Sequence, residues 1–457
     1  MPRNKHRREF LKAAPLAVAT ALSINTQGAE SAPGTIREPA RDVPVAWDCD
    51  VCVVGGSCTG VFAAVAAARL GAKVALIESS GFFGGVATAG LVNIWHSLHD
   101  RTGQQRIIAG LTWETIERLR KRDAVRAGGH YVLNTEILKL ELDRMVVEVG
   151  IRPFLHTLFV APAAEGGRIT AAIIEDKTGR RAIRARQFVD ATGDGDVAHR
   201  LGLETYRREH VQPPTMCCVL RGLGGIKKTH PGFDIHRVVF DKTYSQAIPP
   251  GYAWSAPVPG SDDLLMLAGT RVHGADCSDA DQLTQAELEG RRQVNSICEL
   301  LCEHFPGGKG VPLVALPAKI GIRESRHVRA LHQLTAEEML TGKRFPDAIA
   351  NGTYHIDVHN AKGAGVAFRE LNAGVPFYQV PYGSLVPRGA KNLLVAGRML
   401  DADEQAFGGF RVMVNCNQTG EAAGTAAWLA LDSAADVPAV DTARLRDTLK
   451  KQGAAII

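Results

Sequence analysis

Residues 49–78 read CDVCVVGGSCTGVFAAVAAARLGAKVALIE. An apolar run, Val51-Cys52-Val53-Val54, leads into Gly55-Gly56-Ser57-Cys58-Thr59-Gly60; an alanine-rich stretch follows, then a second apolar run that ends on Glu78. The pattern is strand, tight turn, helix, strand. Each part has a job beside a pyrophosphate. Gly55 permits the turn, the small Ser57 lets the backbone come close, and Gly60 lets helix and strand pack tightly. The start of the helix offers N–H groups without intrahelical acceptors and about half a positive charge. Glu78, 23 positions after Gly55, can accept hydrogen bonds from ribose hydroxyls and disfavours a 2′-phosphate. Serine stands where the fingerprint has its second glycine. The alternative is a plain βαβ turn whose glycines serve packing alone; the flanking strands, helix and acidic residue favour dinucleotide binding.

Further segments bear on which dinucleotide is bound. Ser79 and the loop Gly81–Gly90 (GFFGGVATAG, with Gly84, Gly85 and Thr88) follow the second strand directly, where glycines let amides approach a ligand. Asp190-Ala191-Thr192-Gly193-Asp194-Gly195-Asp196 follows the apolar run Gln187–Val189. Asn392–Arg398 (NLLVAGR) is another strand ending on glycine, Gly397-Arg398, and a helix is expected from Gly420 through Ala423 to about Leu431. With Gly321–Arg326 (GIRESR) and the RVM…GEAAGTAA tail, these residues resemble the FAD-dependent oxidoreductase family of glutathione-reductase-like topology. The nearest branch is similar to the heterodisulfide-reductase-A-like flavoproteins, whose iron–sulfur cysteine motifs are missing here.

The resemblance implies FAD as cofactor. It places the loops at 55–60 and 81–90 on the pyrophosphate and ribityl, and Ala191-Thr192-Gly193 beside the nucleotide. Gly397-Arg398 and the helix near Gly420 would close over the flavin, the helix start stabilising negative charge on the reduced ring.

The fold class expected is α/β: an FAD/NAD(P)-binding Rossmann-like domain with a small β-meander and an inserted α+β substrate domain. Helical periodicity covers Gln104–Arg126 and Thr135–Val149. Three alternating strands with turns at Gly166-Gly167 and Lys177-Thr178-Gly179 form the meander. The division expected is a signal over 1–31, a linker over 32–46, FAD-binding parts over 47–204 and 381–432, an insertion over 205–380 and a tail over 433–457. The insertion mixes strands (Met216–Arg221, Leu264–Val272) with a helix near Leu283–His304.

The chain has 457 residues and a formal charge of +5, but residues 1–31 hold five basic and two acidic groups; beyond them 48 basic groups face 46 acidic ones. No basic run tracks a phosphate backbone, which argues against a nucleic-acid partner. His6-Arg7-Arg8-Glu9-Phe10-Leu11-Lys12 resembles the twin-arginine export signal. The apolar stretch Ala13–Ile24 is too short to span a bilayer, and cleavage is expected near Ser31. The expected compartment is periplasmic or extracellular, with no transmembrane span in the mature chain. Nine cysteines give no disulfide framework. Cys49-x-x-Cys52 has redox spacing, but strand alternation does not set the two thiols side by side, so both read as core.

Catalysis is expected in the insertion, with Arg323, Glu324, Arg326, His355, Asp357 and His359 as the site. Asp357 and His359 share one face of a strand. The carboxylate would set the imidazole's tautomer and raise its pKa, so that His359 takes a proton as hydride moves to flavin N5. Arg323 or Arg326 would hold an anionic substrate or the charge of reduced flavin. The bland alternatives are a structural Arg323–Glu324 ion pair and satisfied loop histidines. His355, Asp357 and His359 lack a full ligand set, so no metal is expected. His96 and His99 lie either over the flavin or at the surface. The leading function is hydride transfer between a small organic substrate and flavin, with an electron acceptor that the sequence does not name. Two others stand beside it: a flavin-dependent lyase or isomerase on a sugar-like molecule, and a flavin-binding protein without turnover.

Overall fold

Val51–Val54 is the middle strand of a five-stranded parallel sheet, and all four of its side chains are buried. The order across the sheet is Leu393–Val395, Gln187–Asp190, Val51–Val54, Val74–Ile77, Arg152–Phe154. Leu394, Val189, Val53 and Leu76 stand in one row. Such unbroken apolar strands suit a sheet covered on both faces. The computed structural model describes residues 34–306 and 312–457. The chain divides into Met1–Asp42, of which residues 34–42 carry no helix or strand, and the compact unit Val43–Ile457. The export signal expected over residues 1–31 lies outside the described residues.

The helix Cys58–Arg69 follows the central strand. Ser57 caps it, its Oγ accepting the Gly60 N–H at 3.4 Å. Against it lies the long helix Met413–Asp432, buried without interruption from Val414 to Ala427. The two backbones nearly touch: a Cβ on Gly420 would collide with the Thr59 carbonyl, and one on Gly424 with the Ala63 carbonyl. The alanines of both helices are what this approach requires.

The meander forms from Leu158–Glu165, Arg168–Asp176 and Gly179–Arg184, antiparallel and turning where expected. Val45–Asp48 adds to its edge, parallel to Gly179–Arg184, so the last two residues of the expected linker are strand. The helix expected over Gln104–Arg126 is shorter. Asp100 Oδ1 accepts the Gln104 and Gln105 amides at 3.0 and 3.2 Å, holding them in a turn, and the helix runs only Gly110–Arg120. Val125–Ala127 then pairs with Tyr131–Leu133.

A second core belongs to residues 216–322. Four antiparallel strands, in the order Trp254–Pro257, Leu264–Ala268, Cys218–Arg221, Leu313–Ala315, are packed by the helix Ala280–His304 through Val294, Ile297 and Leu301. The later pair Ala348–Gly352 and Tyr378–Pro381 instead sends Ile349, Tyr378 and Val380 into the main core. So does the terminal helix Thr442–Lys451 through Leu445 and Leu449. Among the described residues no helix is long and apolar enough to cross a membrane. All nine cysteines are free, with Cys52 fully buried.

Candidate active site

The two glycine loops meet at one cleft of about 400 Å³. Ser57 and Gly84 pair as an isolated parallel bridge, and the Gly84 amide donates to the Gly56 carbonyl at 2.8 Å. Gly55 has φ +101°, and a Cβ on it would strike the Ala191 carbonyl. A Cβ on Gly60 would strike the Gly55 carbonyl, and one on Gly85 would lie 2.6 Å from Ser57 Cβ. Glu78 sits at the rim of the cleft. Its Oε2 accepts the Gly56 N–H at 2.8 Å, and its Oε1 accepts the Ser80 N–H at 2.7 Å. Cys58 and Thr59, in the first turn of their helix, also line the cleft, as do Ser79, Ala191, Thr192 and Gly397.

Three distant stretches converge at its other side. Arg398 donates to the Gly193 carbonyl at 2.6 Å, to Ser325 Oγ at 3.0 Å and to Asp194 Oδ1 at 2.7 Å. Ser325 also donates to Asp194. Arg326 donates to the Asp194 carbonyl at 2.9 Å and to Asp196 at 3.0 Å. Asp190 sits beneath, fully buried; it accepts the Thr192, Val197 and Ala198 amides at 2.9–3.2 Å. Burial raises its pKa to about 6.

Beyond the cleft lies a polar cluster, joined to it by Arg411, which lines the cleft and donates to Asp357 Oδ2 at 3.2 Å. Tyr354 donates to the same oxygen at 2.9 Å. His359 Nε2 lies 3.4 Å from Asp357 Oδ1, and its Nδ1 3.3 Å from an Arg271 Nη. Arg323 donates to Thr215 Oγ1 at 2.6 Å. His96 packs against Tyr354 at a tilt of 38°, with centroids 4.1 Å apart. Burial works to raise the Asp357 carboxyl, but the His359 hydrogen bond and the Arg411 charge outweigh it and hold it well below the usual range. Burial, then repulsion from Arg323, depresses His359 to about 3. Burial likewise takes His96 to about 3.

A family model described as FAD dependent oxidoreductase matches residues 50–449. The chain belongs to that family. Similar solved structures include a geranylgeranyl bacteriochlorophyll reductase-like protein of Thermoplasma acidophilum, at 15% identity over 89% of this chain and 84% of that one, TM-score 0.47. Others are p-nitrophenol 4-monooxygenase of Pseudomonas putida (11%, 89% and 84%, TM-score 0.44) and a flavoprotein/dehydrogenase of Cytophaga hutchinsonii (13%, 87% and 82%, TM-score 0.44). These likenesses are too distant to bear on its chemistry. No curated protein matches the sequence.

The residues present fit the FAD that this FAD-dependent oxidoreductase requires. The glycine cradle leaves room that any side chain would fill. The helix beginning at Met413 has no side-chain cap and points its first turns, with Met413, Cys416 and Asn417, into the cleft. Asn417 is 1% exposed, and its Nδ2 has no acceptor among the described residues. A buried donor left open on a cofactor cleft is what a bound ring's carbonyl edge would satisfy.

Several expectations need correction. The helix starts seven residues before Gly420; Gly420 lies against Thr59 in the helix–helix contact, Ala423 is fully buried, and neither lines the cleft. Gly56 and Thr88 support the loops instead of lining the cleft; Thr88 Oγ1 donates to the Phe83 carbonyl at 2.7 Å. Glu324 does not pair with Arg323. It is 1% exposed and is held by Arg208, by His327 Nε2 at 3.1 Å and by the Gln212 amide at 3.0 Å, a structural set. Arg326 braces the Asp194 loop. His355 faces Glu370, 3.7 Å away, and stacks on Tyr354. The expected rise in the His359 pKa is reversed, because burial and Arg323 outweigh Asp357. His99 lies apart from the cluster, bridging to Arg106. Among the described residues no group of three His, Cys, Asp or Glu could hold a metal ion. Arg271 and Arg411 escaped the sequence reading. The signal for Arg271 was a charge inside the apolar run Leu264–Val272; Arg411 opens the RVM segment.

Proposed function

We propose that this protein is an exported enzyme transferring hydride between a small organic substrate and its flavin, within the heterodisulfide-reductase-A-like branch of the family but without that branch's clusters. The observation that carries the redox reading is Arg411, which borders the cofactor cleft and the polar cluster at once. Bound FAD supplies the two-electron chemistry. Arg323 and Arg411 orient the substrate. Asp357 fixes Arg411 and Tyr354. His359, with Nδ1 against Arg271 and its pKa lowered to about 3 by burial and Arg323, serves position, not proton transfer. Burial lowers His96 to about 3, which makes it too weak a base to take a proton near neutral pH; packed against Tyr354, it too serves position. The electrons then pass to an acceptor outside the chain.

The twin-arginine segment at Arg7-Arg8 supports export, a route that carries folded proteins with cofactor in place. Anaerobic addition of sugars, acids and amines to the FAD-loaded chain tests the redox reading. Bleaching of the flavin band by one class supports it. Turnover of a substrate with no change in flavin, and no use of an electron acceptor, sinks it in favour of lyase or isomerase chemistry.

A further inference from the structure

Two guanidiniums beside Asp357, Arg271 buried and Arg323 half-buried, have no carboxylate of their own. Arg271 is 2% exposed and donates only to neutral acceptors: Thr215 Oγ1 at 2.9 Å, the Thr270 and Tyr252 carbonyls at 2.7 and 2.8 Å, and His359 Nδ1. Arg323 uses one Nη for the Pro213 carbonyl and Thr215 Oγ1; its other Nη and its Nε make no hydrogen bond among the described residues. Neither arginine forms an ion pair among those residues. Arg411 takes Asp357, so three guanidiniums share one carboxylate.

No other side chain in the cluster supplies an anion. Burial holds the Cys217 thiol beside Arg323 and Arg271 protonated, its pKa pushed up to about 12, and His96 and His359 are neutral. Spare donors point the same way. Arg411 Nε and Gln212 Nε2 are buried with no acceptor, although Gln212 Oε1 takes the His359 amide at 3.1 Å and an Arg411 Nη at 3.4 Å. Charges are kept out of water where something pairs with them. Here the missing partner is an anion, and it belongs beside the cofactor.

We propose that Arg323 and Arg411, backed by the field of Arg271, seat the carboxylate of a small organic substrate, so that the hydride chemistry is directed at an organic anion and not at a neutral sugar, alcohol or amine. This rests on the redox reading above. A guanidinium fork matches a carboxylate in shape and hydrogen-bond direction. Arg411 ties that seat to the cleft.

The test titrates the FAD-loaded full chain with acetate, benzoate and succinate, and with acetamide and benzamide as neutral counterparts. The flavin difference spectrum and the thermal midpoint are followed together. A carboxylate is expected to give a saturable spectral change and a raised midpoint, and the amides neither. Arg323→Met lowers carboxylate affinity about 30-fold or more while the flavin spectrum stays intact. Arg323→Lys, which keeps the charge and loses the fork, falls between them and carries the comparison if the Met variant does not hold FAD. Failure of every carboxylate to perturb wild type, or equal affinity in the Arg323 variants, overturns the proposal. The two readings fail separately. Bleaching by a neutral substrate with no carboxylate bound leaves the redox reading and removes the anion seat; carboxylate binding with no bleaching by any compound does the reverse.

Discussion

Glu421 and Asp357 are both buried carboxyls, and their surroundings drive them in opposite directions. Asp357 has Arg411, Tyr354 and His359 around it and stays ionised. Glu421 is 2% exposed and accepts only the Leu111 amide, at 3.2 Å; burial raises its pKa from 4.5 to about 8. A group raised in the folded state contributes stability that is fully present below its unfolded pKa and is lost as pH rises through the folded value. Wild type should therefore lose stability between about pH 4.5 and 8 relative to Glu421→Gln, whose amide does not titrate. Thermal midpoints of both proteins at about pH 5 and pH 9 check this; a gap that does not move with pH contradicts it. The two histidines of the cluster run the other way. Their lowered values, about 3, mean stability present above about pH 6.5 and lost as pH falls toward 3. His359→Gln should flatten part of that acid loss in an acid titration followed by circular dichroism.

Helices and loops show where local pattern suffices and where it does not. The turn Gly55–Gly60 is legible because its requirements are local: a positive φ, a close backbone, a capped helix. The start of the long helix is not. Asn415, Asn417 and Gln418 precede the start expected at Gly420, yet Asn415 donates to the Tyr378 hydroxyl at 2.7 Å and Gln418 exchanges hydrogen bonds with the Asn351 backbone at 2.8 and 3.1 Å. Partners more than 35 residues away license polar groups in a buried helix, and periodicity carries no trace of them. The cation cluster was half legible for the same reason. His355–His359 drew notice as a local polar run, whereas Arg271 and Arg411 acquire meaning only when strands and helix bring them to Asp357. The close approach of the two alanine-rich helices makes a sharp prediction. Gly424→Ala should cost about 1–3 kcal/mol or more, since the opposing atom is the Ala63 backbone. Gly224→Ala, in the helix Leu223–Thr229 with open space around it, should be neutral or stabilising by about 0.4–1 kcal/mol. Urea unfolding of the two variants measures the contrast.

Across the whole molecule, the Asp194 loop is where the family's three scattered motifs become one structure. Ser325 reaches it from beyond the second core, Arg398 from the returning strand of the parallel sheet, and Arg326 from the same segment as Ser325. The α/β class and the cofactor were readable from those motifs because each must approach the same ligand. Asp194→Asn keeps the shape and removes the charge that Arg398 meets, so it should cost about 1–3 kcal/mol and loosen FAD, seen as a higher dissociation constant in a flavin-fluorescence titration.

The residues of the cleft between the glycine loops and the Met413 helix fit bound FAD. Flavin released by denaturing the purified, extensively dialysed chain tests it most directly, with Gly55→Val beside wild type. The side chain added at Gly55 would meet both the positive φ and the Ala191 carbonyl. About one FAD per chain is expected in wild type, as for a single dinucleotide fold, and little in the folded variant. A flavin-free wild type, or equal flavin in both proteins, would contradict it.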